Sequence, residues 1–273
     1  KQRFLPRLCS GEWIGCHGVS EEASGSDALS LQTTATLTDG GYLLNGRKIY
    51  IGMAPLADMA LVLANTDPEA GKWGVSAFLV ERGTPGFRQS EPRAKTGTRT
   101  NLMGDLIFED CLVPEENLLG GEGIGMSLFT QTISWERAFI HAGHLGAMQF
   151  LFERCLRYAK ERKQFGRSIG SFQSVSNRIA DMRLRLETSR LMMYRVAAMK
   201  DAGEDAAMEC AMANLHIAES LLACATDAVR LHGARGYLEE HGVERQLRDS
   251  IGGVIYAGTS DIQRNLISSL LGL

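Results

Sequence analysis

The sequence predicts an α+β protein, an antiparallel β-barrel or sandwich domain followed by a four-helix-bundle domain. Three observations lead there. From Trp13 to Pro114, short apolar or β-branched runs alternate with turn dipeptides, which is strand chemistry. After the segment VPEENLLGGEGIG the apolar residues recur at helical spacing, with Gly and Pro nearly absent from the helix interiors. The 273 residues, 44% hydrophobic and 22% charged, have the makeup of a folded globular chain.

In order along the chain, QTTATL passes through TDGG into YLL, and Asn45–Gly46 leads into KIYI. Asp39–Gly40 and Asn45–Gly46 both offer the positive φ angles that tight hairpins need. MALVLAN, GVSAFLVE and GDLIFEDCLV are further strands, each bounded by Gly, Pro or Asp. Helices are expected at about 122–160, 169–201, 204–234, 240–251 and 259–271. Within the second, Ile179, Met182, Leu186, Met193 and Val196 share a face, as a bundle requires. The domain boundary falls between Leu118 and Gly125.

Composition excludes several functions. A net charge of -3 gives no basic field for a nucleic-acid backbone. The six cysteines, Cys9, Cys16, Cys111, Cys155, Cys210 and Cys224, form no CxxC pair and read as core residues of a reducing, cytoplasmic compartment. The histidines lack ligand spacing, so no metal site is expected, and they read as core or interface residues. The longest apolar stretch, Ala138 to Phe152, is shorter than the roughly 20 residues of a membrane span. No signal peptide is visible, and the opening on Lys1 in what reads as a helix tail leads us to expect preceding sequence. The glycines Gly120, Gly121, Gly123 and Gly125 lack dinucleotide-binding spacing and read as a hinge and helix start.

Two segments carry candidate chemistry. Glu136 and Arg137 are the only Asp, Glu, Lys or Arg residues between Met126 and Phe152. Phe139, Ile140 and Gly143 flank Glu136 at i+3, i+4 and i+7 on a helix, so its carboxylate is expected to be desolvated and its pKa raised. That suits a general base for a weakly acidic carbon proton, while the alternative is a buried ion pair or a charge at a subunit contact. ERKQFG, with Gln173 beyond it, places cations, an aromatic and amides where one helix ends and the next begins. Such a group could hold a diphosphate or be a solvated helix end.

GVSEEASGSD, NGRKIYI, FEDCLVPEENLLG, YAKERKQFG, the HGARGY segment and IYAGTSDIQR, in this order, resemble the acyl-CoA dehydrogenase family over nearly the whole chain. The resemblance implies the tail of an N-terminal helical domain at 1–12, the middle β domain at 13–118 and the C-terminal helical domain at 119–273. It implies FAD as cofactor, with Val19, Ser20, Gly25 and Ser26 meeting the flavin ring and pyrophosphate. Glu22 stands where a proline is usual, and Tyr50 and Gly52 replace a Trp and a Thr or Ser beside the flavin. Arg162, Gln164, Phe165 and Gln173 would hold the diphosphate and adenosine of a neighbouring subunit's FAD, with Gly233 and Thr259 in contact, which implies a homodimer or homotetramer. Arg230 and Ala234 depart from the usual Gln and Gly.

Ala257 stands where most family members place the catalytic glutamate, and an alanine takes no proton. In the branch resembling isovaleryl-CoA and long-chain dehydrogenases the base comes from the earlier helix, at the position of Glu136. The resemblance therefore implies α,β-dehydrogenation of an acyl thioester with Glu136 as catalytic base and Arg137 ordering the substrate pocket or the base. WERAFI and AGTSDIQRN resemble members that oxidise aminoacyl groups such as prolyl on carrier proteins, which favours a carrier-bound substrate over acyl-CoA. The alternatives are a flavin-dependent oxidase or oxygenase on the same scaffold and a non-catalytic binding or scaffold subunit. The electron acceptor is not readable from the sequence.

Overall fold

The computed structural model describes residues Lys1 to Leu273. They form two compact units, residues 1–95 with 99–132, and residues 133–273 with 96–98.

The first unit opens with α1 (Leu5–Ser10) and continues into seven strands of one sheet: β1 (Gly15–Gly18), β2 (Thr34–Thr38), β3 (Gly41–Gly52), β4 (Met59–Asn65), β5 (Val75–Glu81), β6 (Phe87–Gln89) and β7 (Met103–Val113). Their hydrogen-bonded order is β1-β4-β2-β3-β7-β6, with β5 also on β4. The antiparallel expectation holds for β2–β3, β3–β7, β4–β5 and β6–β7. β4 adds parallel pairings with β1 and β2, which the long connection from Val19 to Asp58 permits. Its sequence MALVLA is apolar up to the terminal Asn65, in keeping with a strand covered on both faces. Leu44, Val62, Phe78, Leu106 and Phe108 lie fully buried in the core beside it.

The two turn dipeptides behave differently. Asp39–Gly40 joins β2 to β3 with Thr38 opposite Gly41, but the positive φ falls one residue later, on Gly41 at 128°. Asn45–Gly46 is no turn. It is a bulge inside β3, where the register against β7 slips. Gly46 has φ 149°, and a Cβ there would lie 2.5 Å from the Thr33 hydroxyl. The dipeptide supplies backbone freedom, and the crowding by Thr33 makes glycine necessary at the bulge.

The helices are α2 (Gly125–Phe139), α3 (Ala142–Glu161), α4 (Gln173–Asp201), α5 (Ala207–His232), the single turn α6 (Ala234–Tyr237), α7 (Val243–Gly253) and α8 (Ser260–Leu270). Between α3 and α4 lies a hairpin of two-residue strands, β8 (Lys163–Gln164) and β9 (Arg167–Ser168). In the second unit α5 is central, packed by α3, α4, α7 and α8. Its buried positions are mostly Ala, Ser and Cys, small enough for four helices to approach. Met182, Leu186, Met193 and Val196 of α4 are buried as their spacing predicts, and Ile179 packs against the same core. Leu186→Ala is expected to lower stability by about 2–5 kcal/mol in a denaturant melt, because it opens a cavity at a fully buried site.

The helix expected at 122–160 is two helices, broken at Ile140–His141. His141 carries a buried ring at the break, and β-branched Ile140 with Gly143 and Gly146 weakens helix continuity there. The composition changes at 118–125, yet the division of contacts falls after Thr132. The first turns of α2 pack Met126, Leu128 and Phe129 against Leu31, Leu63, Val75 and Ala77 of the first unit. No helix is long and apolar enough to cross a membrane.

Candidate active site

In the first unit, the loop after β1 is held by a buried ion pair that the motifs do not announce. Lys48 is 0% exposed, and its ammonium lies 2.6 Å from Glu21 Oε1 and 3.2 Å from the Val19 carbonyl. The Glu21 carboxylate also accepts from the Thr33 hydroxyl at 2.6 Å and from the backbone N–H groups of Thr33 and Gln32. Burial pushes this carboxyl up, but hydrogen bonds from Lys48 and Thr33 outweigh it and leave the pKa below the usual range. Burial pushes Lys48 down, with Glu21 opposing. These bonds fix both ends of the loop that carries Val19, Ser20, Gly25 and Ser26. Gly25 and Ser26 are exposed, and a Cβ at Gly25 would meet open space.

The Ser20 carbonyl accepts from Ile49 N–H at 2.8 Å, which sets this loop beside the end of β3. There Tyr50 and Met53 both take positive φ, 59° and 61°, next to a second register slip against β7. Left-handed backbone at residues with side chains is strained by about 1–3 kcal/mol each and persists where packing over-determines it. Tyr50 is 55% exposed, with the Arg93 guanidinium 5.3 Å from its ring centre. Arg93 grips the buried Asp105 through two hydrogen bonds of 2.9 and 2.8 Å, and Arg47 binds the same carboxylate. Hydrogen bonding from Arg93 holds the Asp105 carboxyl below its usual range. Gly52 is half-buried, with Asn101 at ordinary contact distance.

In the second unit, Glu136 lies in the last turn of α2. Glu136 is an exposed residue, so the expected desolvation is only partial. Protein packed around it still pushes the carboxyl above the usual carboxylate range, with Arg137 opposing. Burial in turn lowers Arg137. The Nε of Arg137 is buried without a hydrogen-bond partner, 3.8 Å from where a Cβ of Gly258 would stand. The fold thus brings Arg137 to the Ala257–Gly258 loop, 120 positions away in sequence.

That loop is backbone-strained and well supported. Ala257 has φ 56° and Gly258 φ 89°. The fully buried Gln263 donates to both of their carbonyls at 3.0 Å, and its own Oε1 has no partner. Thr259 caps α8, its hydroxyl oxygen accepting from Ile262 N–H at 3.2 Å, which leaves the hydroxyl hydrogen to donate elsewhere. Sequence reading missed Gln263, whose only signal is its position at the fifth residue after Gly258.

The ERKQFG segment starts at the end of α3, as expected, and continues into the β8–β9 hairpin that precedes α4. Phe165 and Gly166, φ 52° and 80°, form the two-residue turn of the β8–β9 hairpin, both positive as a type I′ turn requires. Arg162, Gln164 and Phe165 are all exposed, Phe165 at 93%. The Phe165 ring meets Phe172 edge-on at 6.0 Å, which sets the hairpin beside Gln173, the first residue of α4. Gly233, φ 59°, ends α5 with open space on its Cβ side. Arg230 lies 4.0 Å from Asp227, a carboxylate also bound by Arg178 and Arg185. No three His, Cys, Asp or Glu side chains are grouped to hold a metal.

Buried histidines contribute to the response of stability to acid. Burial pushes His141 and His144 down to about 4, and lowers His17, His216 and His232 as well. A depressed folded-state pKa means that the unfolded chain binds protons first. Stability is then fully present above about 6.5, the ordinary histidine value, and is lost as pH falls toward 4. Tm measured against pH is therefore expected to drop across that window; a flat profile there would contradict the burial of these rings.

Comparison with known proteins places this geometry. Residues 16–111 match the family model for the acyl-CoA dehydrogenase middle domain, and residues 123–271 match the model for the acyl-CoA dehydrogenase C-terminal domain. The chain is 44% identical to an L-prolyl-[peptidyl-carrier protein] dehydrogenase of Pseudomonas fluorescens, over all of this chain and 72% of that protein. It is 39% identical to a mitochondrial isovaleryl-CoA dehydrogenase of Arabidopsis thaliana, over 98% of this chain and 65% of the relative. Among solved structures, PigA with FAD and proline superimposes with a TM-score of 0.98 at 41% identity, covering 100% of this chain and 71% of PigA. The prolyl acyl carrier protein oxidase AnaB gives 0.97 at 43% identity, covering 100% and 72%. The chain belongs to the acyl-CoA dehydrogenase family.

Proposed function

We propose that this protein is an FAD-dependent oxidoreductase that α,β-dehydrogenates an acyl or aminoacyl thioester, with Glu136 as the base. The observation that carries the reading is the meeting of α2 with the Ala257–Gly258 loop through Arg137, next to a glutamate whose pKa is raised. The carboxylate stands on the helix and not on the loop, where Ala257 has none. Glu136 takes the α-proton of the thioester as the β-hydrogen departs with its electron pair and the carbon–carbon double bond forms. A raised carboxyl pKa brings the base nearer to the acidity of its substrate. Arg137 stabilises the ionised base and orders the wall on which the substrate lies.

The residues present suit the cofactor. The exposed guanidinium of Arg162 has no partner in the chain and fits a diphosphate. Gln164, Gln173 and the Thr259 hydroxyl hydrogen offer donors, Phe165 an aromatic face, and Gly25 and Gly233 open approaches to backbone. Val19, Ser20, Ser26, Tyr50 and Gly52 would line the ring and its pyrophosphate. When bound, FAD supplies the two-electron acceptor for the β-hydrogen. An exposed Phe165 at the tip of the β8–β9 hairpin supports a homodimer or homotetramer in which Arg162, Gln164, Phe165 and Gln173 serve a neighbouring subunit's FAD; a cytoplasmic location belongs to the same proposal. We assign 1–12 to the tail of a helical domain, 13–118 to the middle domain and 119–273 to the C-terminal domain.

Likeness to two proteins that act on carrier-bound prolyl groups supports a prolyl thioester on a carrier protein as the substrate, ahead of acyl-CoA. A second reading, an oxidase that passes electrons to oxygen, draws support from the likeness to AnaB. Anaerobic bleaching of the flavin absorption by prolyl-carrier protein, and not by acyl-CoA, is the expected result. Bleaching by acyl-CoA alone would overturn the carrier assignment, and peroxide release in air at the rate of turnover would favour the oxidase.

A further inference from the structure

His141, fully buried, and the half-buried His144 and Tyr256 form a row that no step above uses. The fully buried His141 stands at the break between α2 and α3. Its Nδ1 lies 3.0 Å from Nδ1 of His144, and Nε2 of His144 lies 2.7 Å from the Tyr256 hydroxyl. A neutral imidazole has one N–H and one acceptor nitrogen, so two facing Nδ1 atoms hydrogen-bond only when one ring carries its proton there and the other does not. Two arrangements satisfy the row. Tyr256 donates to His144, which donates to His141, or every bond runs the other way. Packing leaves the row little freedom, since a Cβ on Gly253 would lie 2.5 Å from the His144 ring.

The two ends of the row touch both halves of the proposed site. At one end, Ile140 N–H bonds the Glu136 carbonyl at 2.8 Å. Asn214, alongside His141, donates to the Arg137 carbonyl at 3.3 Å. At the other end, Tyr256 directly precedes Ala257, whose left-handed backbone is strained and needs holding. Gln263 restrains the carbonyls of the loop, and the Tyr256 hydroxyl is its only side-chain tie to the α2–α3 junction among these bonds.

We propose that the His141–His144–Tyr256 row is a positioning device that fixes the Ala257–Gly258 loop against the helix end bearing Glu136 and Arg137. It rests on the dehydrogenase reading above. The three side chains touch neither substrate nor flavin in this scheme; they act by keeping the base and the opposing loop at one spacing, a geometry on which proton abstraction depends steeply.

The test compares flavin-loaded wild type, Glu136→Gln and Tyr256→Phe with prolyl-carrier protein and its α-deuterated form, and records spectra of histidine-15N-labelled protein. Tyr256→Phe is expected to lose roughly tenfold in kcat with KM held within about twofold, and to show a larger deuterium effect as chemistry becomes limiting. Its flavin content is expected to match wild type, and the fall in kcat without a matching change in KM is what a merely structural tyrosine would not give, whatever the lost His144 bond costs in Tm. In wild type two rings should be protonated at Nδ1, His232, which donates to the Ala228 carbonyl, and one of the pair His141 and His144, whose signal should be displaced in Tyr256→Phe. If kcat of Tyr256→Phe stays within about twofold of wild type while Glu136→Gln is inactive, the row has no positioning role and the dehydrogenase reading stands. Spectra in which His141 and His144 are both protonated at Nε2 overturn the row by themselves. A wild type unable to reduce flavin with any thioester, or a Glu136→Gln as fast as wild type, overturns the reading and the row together.

Discussion

Glu136→Gln is expected to slow flavin reduction by about 10²–10⁴-fold, the usual contribution of a positioned general base, with FAD still bound and the fold intact. Glutamine keeps the length and shape of the side chain but accepts no proton from carbon. No neighbouring carboxylate takes over, because the loop opposite α2 presents Ala257 and Gly258. Because the interaction is made in the transition state, kcat and kcat/KM should fall together. The raised pKa adds a second reading of the same residue. Base catalysis needs the ionised form, so the wild-type rate should rise with pH through a carboxyl ionisation above the ordinary glutamate range, and the variant should lack that limb. A variant that retains the limb and the rate would remove Glu136 from the mechanism.

Lys48→Met should be the most destabilising single change in the first unit, by about 3–5 kcal/mol, because it leaves the buried Glu21 carboxylate without its counter-charge. For a chain of this size that is a fall in Tm of very roughly 10 °C. The Thr33 hydroxyl and the two backbone N–H groups remain on the carboxylate and soften the loss. Glu21→Leu combined with Lys48→Met should recover only part of it, since those three donors then lose their acceptor. Thermal melts of the two variants measure the difference. If the double variant regains wild-type stability, the ion pair is not what anchors the loop. Flavin content read on the same samples is expected to fall with loop order, because Val19, Ser20, Gly25 and Ser26 ride on the segment that Glu21 ties down.

Much of this was legible in the residues. Periodicity separates strands from helices because an alternating pattern fits a sheet and a three-to-four spacing fits a helix. The α4 face of Met182, Leu186, Met193 and Val196 is buried for that reason. The isolated Glu136–Arg137 pair stood out because charge within an apolar helix demands a use. Local signals failed where two outcomes share one local chemistry. Asn45–Gly46 permits a turn or a bulge, and Thr33, just before β2, decided for the bulge. Phe165–Gly166 gives little helix-breaking signal beyond its glycine, yet the pairing of Lys163 with Ser168 makes it a hairpin turn.

The sequence by itself determined the element types, the order of the β and helical parts, the family and the residue suited to be a base. Tertiary structure alone decided that Arg137 meets Gly258, that Lys48 reaches Glu21, and that His141, His144 and Tyr256 join in one row. The physical reason is range. Propensity and periodicity act within a few residues of chain, whereas the contacts of Lys48 with Glu21, His144 with Tyr256 and Arg137 with Gly258 join residues 27 to 121 positions apart, and their energies depend on a burial that exists only once the core has closed.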